Sequence, residues 1–311
     1  MEYITVENLK KSYTIYKRKK FKREKKEILA LNGINLKIKK GEFLGYIGPN
    51  GAGKSTTIKI LTGIMEPDSG NVKIDNFCPW KDRKKYVKNI GVVFGQKTQM
   101  WWDLPVIETY NLLKDIFKVK DFKNNLEYLI EKLNLSEILY HPVRQLSLGQ
   151  RMRAEVGACM IHDPDILFLD EPTIGLDIIS KENVNNFLKE LNEKGKTIFL
   201  TTHDLKDIET LCNEVLVLNK GNIVYKGDVN NLKNITDMPT TMKIFLKSPP
   251  KDFKLIKELN GEYLKEKKEI TLNIKSDGVA KIAEKIFKNY EVEDFKVTEP
   301  GIEEIIKEIY K

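Results

Sequence analysis

The sequence predicts an α/β core covered by helices on both faces, followed by a small α+β domain. Three observations predict it. Short, near-continuous apolar runs alternate with helical periodicity along most of the chain, as in parallel strands buried on both sides. A stretch from 105 to 140 is helical throughout and interrupts that alternation. After Leu232 the pattern weakens, and Met238-Pro239 and Ser248-Pro249-Pro250 punctuate a segment of a different character. The expected division is 1–236 and 237–311, with a helical subdomain over about 97–161 inside the first part.

The elements follow from local pattern. Residues 3–7 and 34–38 alternate as strands, and Lys40-Gly41 turns the chain. Residues 42–47 form a short apolar strand that runs directly into Gly48, and 54–62 reads as a helix stopped by Gly63. Strands are expected at 72–74 and 90–94. Ile107, Tyr110, Leu113, Ile116 and Phe117, then Leu126, Leu129, Ile130 and Leu133, give the insertion its helical spacing. A further helix runs from 147 to 161, and strands resume at 166–169, 198–201 and 215–218. The last segment reads as strands at 242–246, 262–264 and 270–274, then helices at 279–289 and 302–310. The nucleotide-type motifs below occur once, so there is one catalytic unit in the chain.

Composition narrows the class. The chain has 311 residues, 41% hydrophobic and 32% charged, an ordinary globular balance. No run approaches the ~18–20 apolar residues needed to span a bilayer, and Met1-Glu2-Tyr3-Ile4-Thr5 lacks a signal-peptide pattern. Cys78, Cys159 and Cys212 lack CxxC spacing, so reduced thiols and a cytoplasmic setting are expected. A formal net charge of +8 points to an anionic partner: nucleotide, nucleic acid or a membrane face. Much of that charge lies in the 17–26 run, Lys-Arg-Lys-Lys-Phe-Lys-Arg-Glu-Lys-Lys. It reads either as a solvated surface loop or as a finger toward anionic lipid, where each basic residue contributes on the order of 1 kcal/mol.

Three constellations carry chemistry. Gly48-Pro49-Asn50-Gly51-Ala52-Gly53-Lys54-Ser55, continued by Thr56, fits GxxxxGK[ST] between a strand and a helix. Its glycines let backbone N–H groups wrap a phosphate at a helix N-terminus; Lys54 reaches the β and γ phosphates and Ser55 ligates Mg²⁺. Asp170-Glu171 ends the apolar strand 166–169, at the sheet edge where open α/β folds bind ligands. Asp170 is the Mg²⁺-side oxygen ligand and Glu171 the general base toward the attacking water. His203 follows another apolar strand at the same kind of end. There an imidazole can donate to a γ-phosphate, in a reaction governed by positioning and electrostatics.

The order of GPNGAGKST (48–56), Gln96, Leu146-Ser147-Leu148-Gly149-Gln150, ILFLDEP (166–172), Gly175-Leu176-Asp177 and His203 resembles the nucleotide-binding domain of ABC transporters across residues 1–235. The resemblance implies a P-loop NTPase core of the ABC ATPase type, with ATP and Mg²⁺ as cofactors. It implies that the 146–150 signature acts in trans, closing over ATP held by a second ATPase subunit. Gln96 matches the glutamine that links the Mg²⁺ site to the transport subunit, with Gln99 as a competitor. Asp177 matches the aspartate that communicates across the dimer. Tyr13 matches the aromatic that stacks on adenine, with Tyr16 as a rival. The signature departs from the commoner LSGGQ at Leu148, whose β-carbon restricts the turn.

Within the family, the 94–105 stretch and the Glu299-Pro300-Gly301-Ile302 ending resemble ATPases paired with ABC-2 type permeases. The partners so implied are an integral-membrane permease and a second ATPase subunit, with anionic lipid at the 17–26 run. The implied place is the cytoplasmic face of the membrane. Trp101 and Trp102 are expected to contribute to permease docking, one buried and one exposed. The rival reading is a soluble ABC ATPase acting on ribosomes or nucleic acid. One cassette and the lack of sustained heptads weigh against it.

Overall fold

A computed structural model of the chain describes residues 2–19, 22–95, 97–232, 238–275 and 278–310, with side chains at all of these except 17–19, 22–24, 230 and 302. Among the described residues no helix is long and apolar enough to cross a membrane. The chain divides into two compact units, Met1–Val229 and Asn230–Lys311.

The first unit is built on a six-stranded sheet. Its order is Ile90–Phe94, Ile166–Asp170, Thr197–Thr201, Phe43–Ile47, Glu214–Asn219 and Asn222–Asp228. The first five run parallel and the last is antiparallel. The parallel strands are short and apolar because both faces are covered: Phe43–Ile47 and Thr197–Thr201 are buried at every position. Tyr46, Phe199 and Phe168 form an aromatic seam through the core, with ring centroids 5.0 and 5.8 Å apart. The Tyr46 hydroxyl lies 3.0 Å from Thr57 Oγ1, fixing the first turn of the helix Lys54–Leu61 against its preceding strand. That contact sets where the phosphate-type loop ends.

Three antiparallel strands form a second sheet, ordered Lys22–Lys39, Glu2–Lys19, Ser69–Ile74. Here the fold departs from the expectation of two short strands. Glu2–Lys19 and Lys22–Lys39 are 18 residues each and pair as far as Lys19 with Lys22. Their outer halves form a two-stranded ribbon on which Tyr16, Ile28 and Leu29 are exposed. Where the ribbon is exposed on both faces, at 13–16 and 25–29, no buried face imposes alternation, and the sequence carries no strand pattern there. The described residues of the basic 17–26 run, 17–19 and 22–26, therefore lie on paired strands.

The helical insertion comprises Val106–Phe117, Phe122–Lys132 and Leu148–Met160. Tyr110 is fully buried and donates to the Ala154 carbonyl at 2.8 Å. A β-carbon on Gly157 would fall 2.3 Å from the Tyr110 hydroxyl, so the glycine makes room for that contact.

The second unit holds a four-stranded antiparallel sheet ordered Glu262–Leu264, Glu269–Ile274, Thr240–Leu246, Val292–Thr298. Burial alternates along Thr240–Leu246, and Met242, Ile244, Ile270, Leu272 and Ile286 form its core. The helix Val279–Asn289 covers that face through Ile286, Ile282 and Ala283. Val292–Thr298 has no strand signature in the sequence, because from Glu293 onward its side chains are exposed and leave no buried alternation.

Candidate active site

The carboxyl ends of the parallel strands bring the three constellations to one edge. Ile47 passes into the Gly48 loop, Asp170 into Glu171, and Thr201 into His203. Parallel register places Asp170 beside both Phe94 and Thr201.

In the loop, Gly51 and Gly53 hold φ at +80° and +115°, conformations that a side chain resists. A β-carbon on Gly53 would stand 2.5 Å from the Ala30 carbonyl. The helix Lys54–Leu61 starts with no side-chain cap and no acidic residue in its first turn. Its first amides thus face an open position, the arrangement that binds phosphate at a helix N-terminus. Lys54 is buried and donates to the Gly48 carbonyl at 2.6 Å and the Pro49 carbonyl at 3.4 Å. Burial pushes its ammonium below the ordinary lysine value, while Glu171 and Asp170 oppose that. A polyphosphate at this loop offers the ammonium stronger acceptors than two carbonyls.

Glu171 has φ of +57°, the left-handed region where a non-glycine residue costs on the order of 1–3 kcal/mol and marks functional sites. Its N–H donates to the Thr201 carbonyl at 3.0 Å and Thr201 Oγ1 at 3.2 Å. The carboxylate meets His203 Nε2 at 2.6 Å. The Thr201 hydroxyl donates to Asp170 Oδ1 at 2.6 Å. Thr201 thus orients both acidic residues, a role that no motif in the sequence marks. The only hint in sequence was its place at the end of the strand before His203. Of the other histidines, His162 stacks on Phe117 at 3.9 Å and bonds the Ile90 carbonyl, while His141 belongs to a turn.

A cleft of about 400 Å³ opens between these groups, lined by Ser55, Phe94, Gly95, Lys97, Asp170 and Glu171 among others. Ser55 and Asp170 offer a hydroxyl and a carboxylate, which suits Mg²⁺ with phosphate and water oxygens completing its shell. Among the described residues no group of three His, Cys, Asp or Glu is arranged to hold a metal without such help. Gln96 lies outside the described residues. Gln99 donates to the Val92 carbonyl at 2.6 Å and lines a different cleft of about 260 Å³ with Glu155 and Cys159. Tyr13 is about one-third exposed and its hydroxyl lies 3.3 Å from Thr56 Oγ1. Tyr16, further out on the ribbon, is 66% exposed. Of the two tyrosines, Tyr13 is the one beside the loop.

Leu146 leads into the signature helix, whose N-cap is Ser147. Its hydroxyl accepts from the Gln150 N–H at 3.2 Å, and Gln150 Oε1 accepts from the Ser147 N–H at 2.9 Å, a capping box. A β-carbon on Gly149 would lie 2.7 Å from Ser180 Oγ, so this glycine lets the helix Ile178–Glu193 approach. Asp177 caps that helix by accepting from Ser180 N–H at 2.9 Å, and this bond with the Ser180 side chain holds its carboxyl below the usual value. Leu148 is partly exposed, with its end against Gly175. Trp101 and Trp102 are both about half exposed. The expectation that one of them is buried is therefore corrected: Trp102 lies under the Arg151 guanidinium at 5.9 Å, and neither enters the core.

The ABC transporter family pattern matches residues 31–174. The ABC transporter ATP-binding protein NatA of Bacillus subtilis (strain 168) is 30% identical over 69% of this chain and 88% of its own. This chain belongs to the ABC transporter ATP-binding proteins. The linearmycin resistance ATP-binding protein LnrL of the same organism is 31% identical over 74% of this chain and 70% of its own. An ATP-binding cassette solved as a dimer in a post-hydrolysis state with ADP and Pi superposes with a TM-score of 0.63 at 29% identity, over 73% of this chain and 98% of that one. The protein is accordingly an ATP-binding, ATP-hydrolysing subunit of an ABC transporter, and its fold is the ABC ATPase form of the P-loop NTPases.

Proposed function

We propose that this subunit drives an ABC-2 type exporter from the cytoplasmic face of the membrane, as one of two ATPase subunits bound to a separate permease. Two ATP molecules are each held between the 48–56 loop of one subunit and the Ser147/Gly149 turn of the other. Tyr13 stacks on adenine. Ser55 and Asp170, with Gln96, hold Mg²⁺, whose charge offsets that of the phosphates. Glu171 takes the proton of the attacking water, and His203 holds the γ-phosphate side. Asp177 transmits closure between subunits. The 17–26 run contacts anionic lipid, and residues 237–311 act as an accessory domain.

The observation that carries the reading is Glu171, set in a left-handed backbone beside Lys54 and 2.6 Å from His203. The export direction is supported by the relative named for linearmycin resistance, and permease docking by the half-exposed Trp101-Trp102 pair beside the helical insertion. The test is Glu171→Gln in purified protein. It is expected to lower turnover by 10²-fold or more and to accumulate an ATP-bound dimer in size-exclusion chromatography. Normal turnover would remove Glu171 as the base, and a monomer under saturating ATP would remove the sandwich.

A further inference from the structure

The sheet of the C-terminal unit ends on Val292–Thr298, hydrogen-bonded to Thr240–Leu246 on one side. Every residue from Glu293 to Thr298 is exposed. Phe295 (46%) and Val297 (37%) are exposed although they sit opposite the core residues Ile244 and Met242. Phe287 of the covering helix is half exposed and meets Phe295 edge-on at 5.4 Å. A seven-residue edge strand with exposed apolar side chains is a template for another strand.

We propose that this edge pairs antiparallel with the same edge of a second copy of the chain, with Phe295 on the two-fold axis, merging two four-stranded sheets. The charge pattern selects both the occupant and the register. A two-fold axis at Phe295 sets Asp294 opposite Lys296 twice and Phe295 opposite its own copy. An axis one residue earlier sets Asp294 against Asp294, and one residue later sets Lys296 against Lys296; like charges directly opposite are destabilising.

The neighbouring strand supports the same register. Lys296 lies opposite Lys243, a like-charge pair, and Lys243 Nζ is already tied to Glu269 Oε1 at 3.0 Å. Asp294 of the second copy supplies the acid that Lys296 lacks in this cross-strand row. Asp294 Oδ1 accepts the Phe295 N–H at 2.8 Å in the single chain. Pairing hands that N–H to a carbonyl of the second copy and releases the carboxylate toward Lys296. On the other face the two Phe295 rings, flanked by Phe287, extend the covered apolar layer. This contact is separate from the nucleotide-dependent dimer.

The test uses the full-length chain without nucleotide, so its result does not depend on closure around ATP. Sedimentation across a micromolar concentration series is expected to show a reversible dimer. Asp294→Lys or Lys296→Asp alone, each creating two like-charge pairs, is expected to weaken association about tenfold or more, and the D294K/K296D double exchange to restore it. Thermal melts of the variants report on folding, since both side chains are exposed. A chain that stays monomeric throughout the series, or a double exchange as weak as the singles, overturns the proposal.

Discussion

The Leu148 Cδ2 atom stands 2.7 Å from the point that a β-carbon on Gly175 would occupy, and Gly175 holds φ at +69°. The signature turn and the loop ahead of Asp177 are therefore packed together within one subunit, with Gly149 against Ser180 as the second contact. Substituting Gly175→Ala adds two separable costs. The left-handed backbone costs an alanine on the order of 1–2 kcal/mol, and the new methyl makes the partly exposed end of Leu148 turn aside, a smaller cost. In a Leu148→Ala background only the first remains. Urea unfolding is thus expected to show a smaller loss for Gly175→Ala in that background than in the native sequence. Equal losses would mean that Leu148 and Gly175 do not touch.

Thr201 ties the two acidic residues of the site to one strand end, through its hydroxyl to Asp170 at 2.6 Å and through Glu171 N–H. Thr201→Val keeps the shape and removes those bonds. The Lys54 loop is untouched, so nucleotide affinity is expected to change little. Turnover is expected to fall roughly tenfold, the equivalent of one hydrogen bond of about 1–1.5 kcal/mol. Steady-state kinetics beside a fluorescent-nucleotide titration separates the two effects. A loss confined to affinity would contradict the positioning role.

The difference in legibility between Lys54 and Thr201 has a physical cause. Lys54, Ser55, Asp170 and Glu171 belong to contiguous runs whose spacing is dictated by one strand end and one helix start, so sequence alone exposes them. Thr201 acts across a parallel register with Asp170, a neighbour 31 positions away, which no local pattern encodes. The same holds for the fold. Phe43–Ile47 and Thr197–Thr201 announce themselves because every side chain is buried. The ribbon segments 14–16 and 25–29 and the edge strand Val292–Thr298 stay hidden because tertiary burial, the source of alternation, is missing there.

Lys54 donates to the Gly48 and Pro49 carbonyls and is buried enough that its charge is already disfavoured. Replacing it by methionine preserves the chain length and removes the ammonium. A charge-assisted hydrogen bond of about 1.5–3 kcal/mol corresponds to roughly 10–100-fold in ATP affinity. AMP lacks the β and γ phosphates that Lys54 addresses and is expected to bind the Lys54→Met protein as it binds the native one. Calorimetric titration with both nucleotides tests this. Equal weakening for AMP and ATP would mean that the loop itself had collapsed.

Glu190 joins the helical insertion to the sheet unit. Its carboxylate bonds Lys194 at 2.8 Å, Lys132 at 2.9 Å and the Tyr128 hydroxyl at 3.1 Å, and the Lys194 ammonium lies over the Tyr128 ring at 4.3 Å. Lys194 first, then Lys132, holds the Glu190 carboxyl down from 4.5 to about 2, and both lysines are raised in return. A depressed carboxyl stabilises the fold above its unfolded value and loses that contribution as pH falls toward its folded value. Glu190→Gln is therefore expected to melt below the native protein at neutral pH. The gap should stay constant down to about pH 4.5 and close between there and about 2. Added salt should narrow the neutral-pH gap, since these charges are partly exposed. Thermal melts over that pH range decide the matter, and a gap that persists unchanged at the acid end would mean that the stabilisation is not carried by the ionised carboxylate.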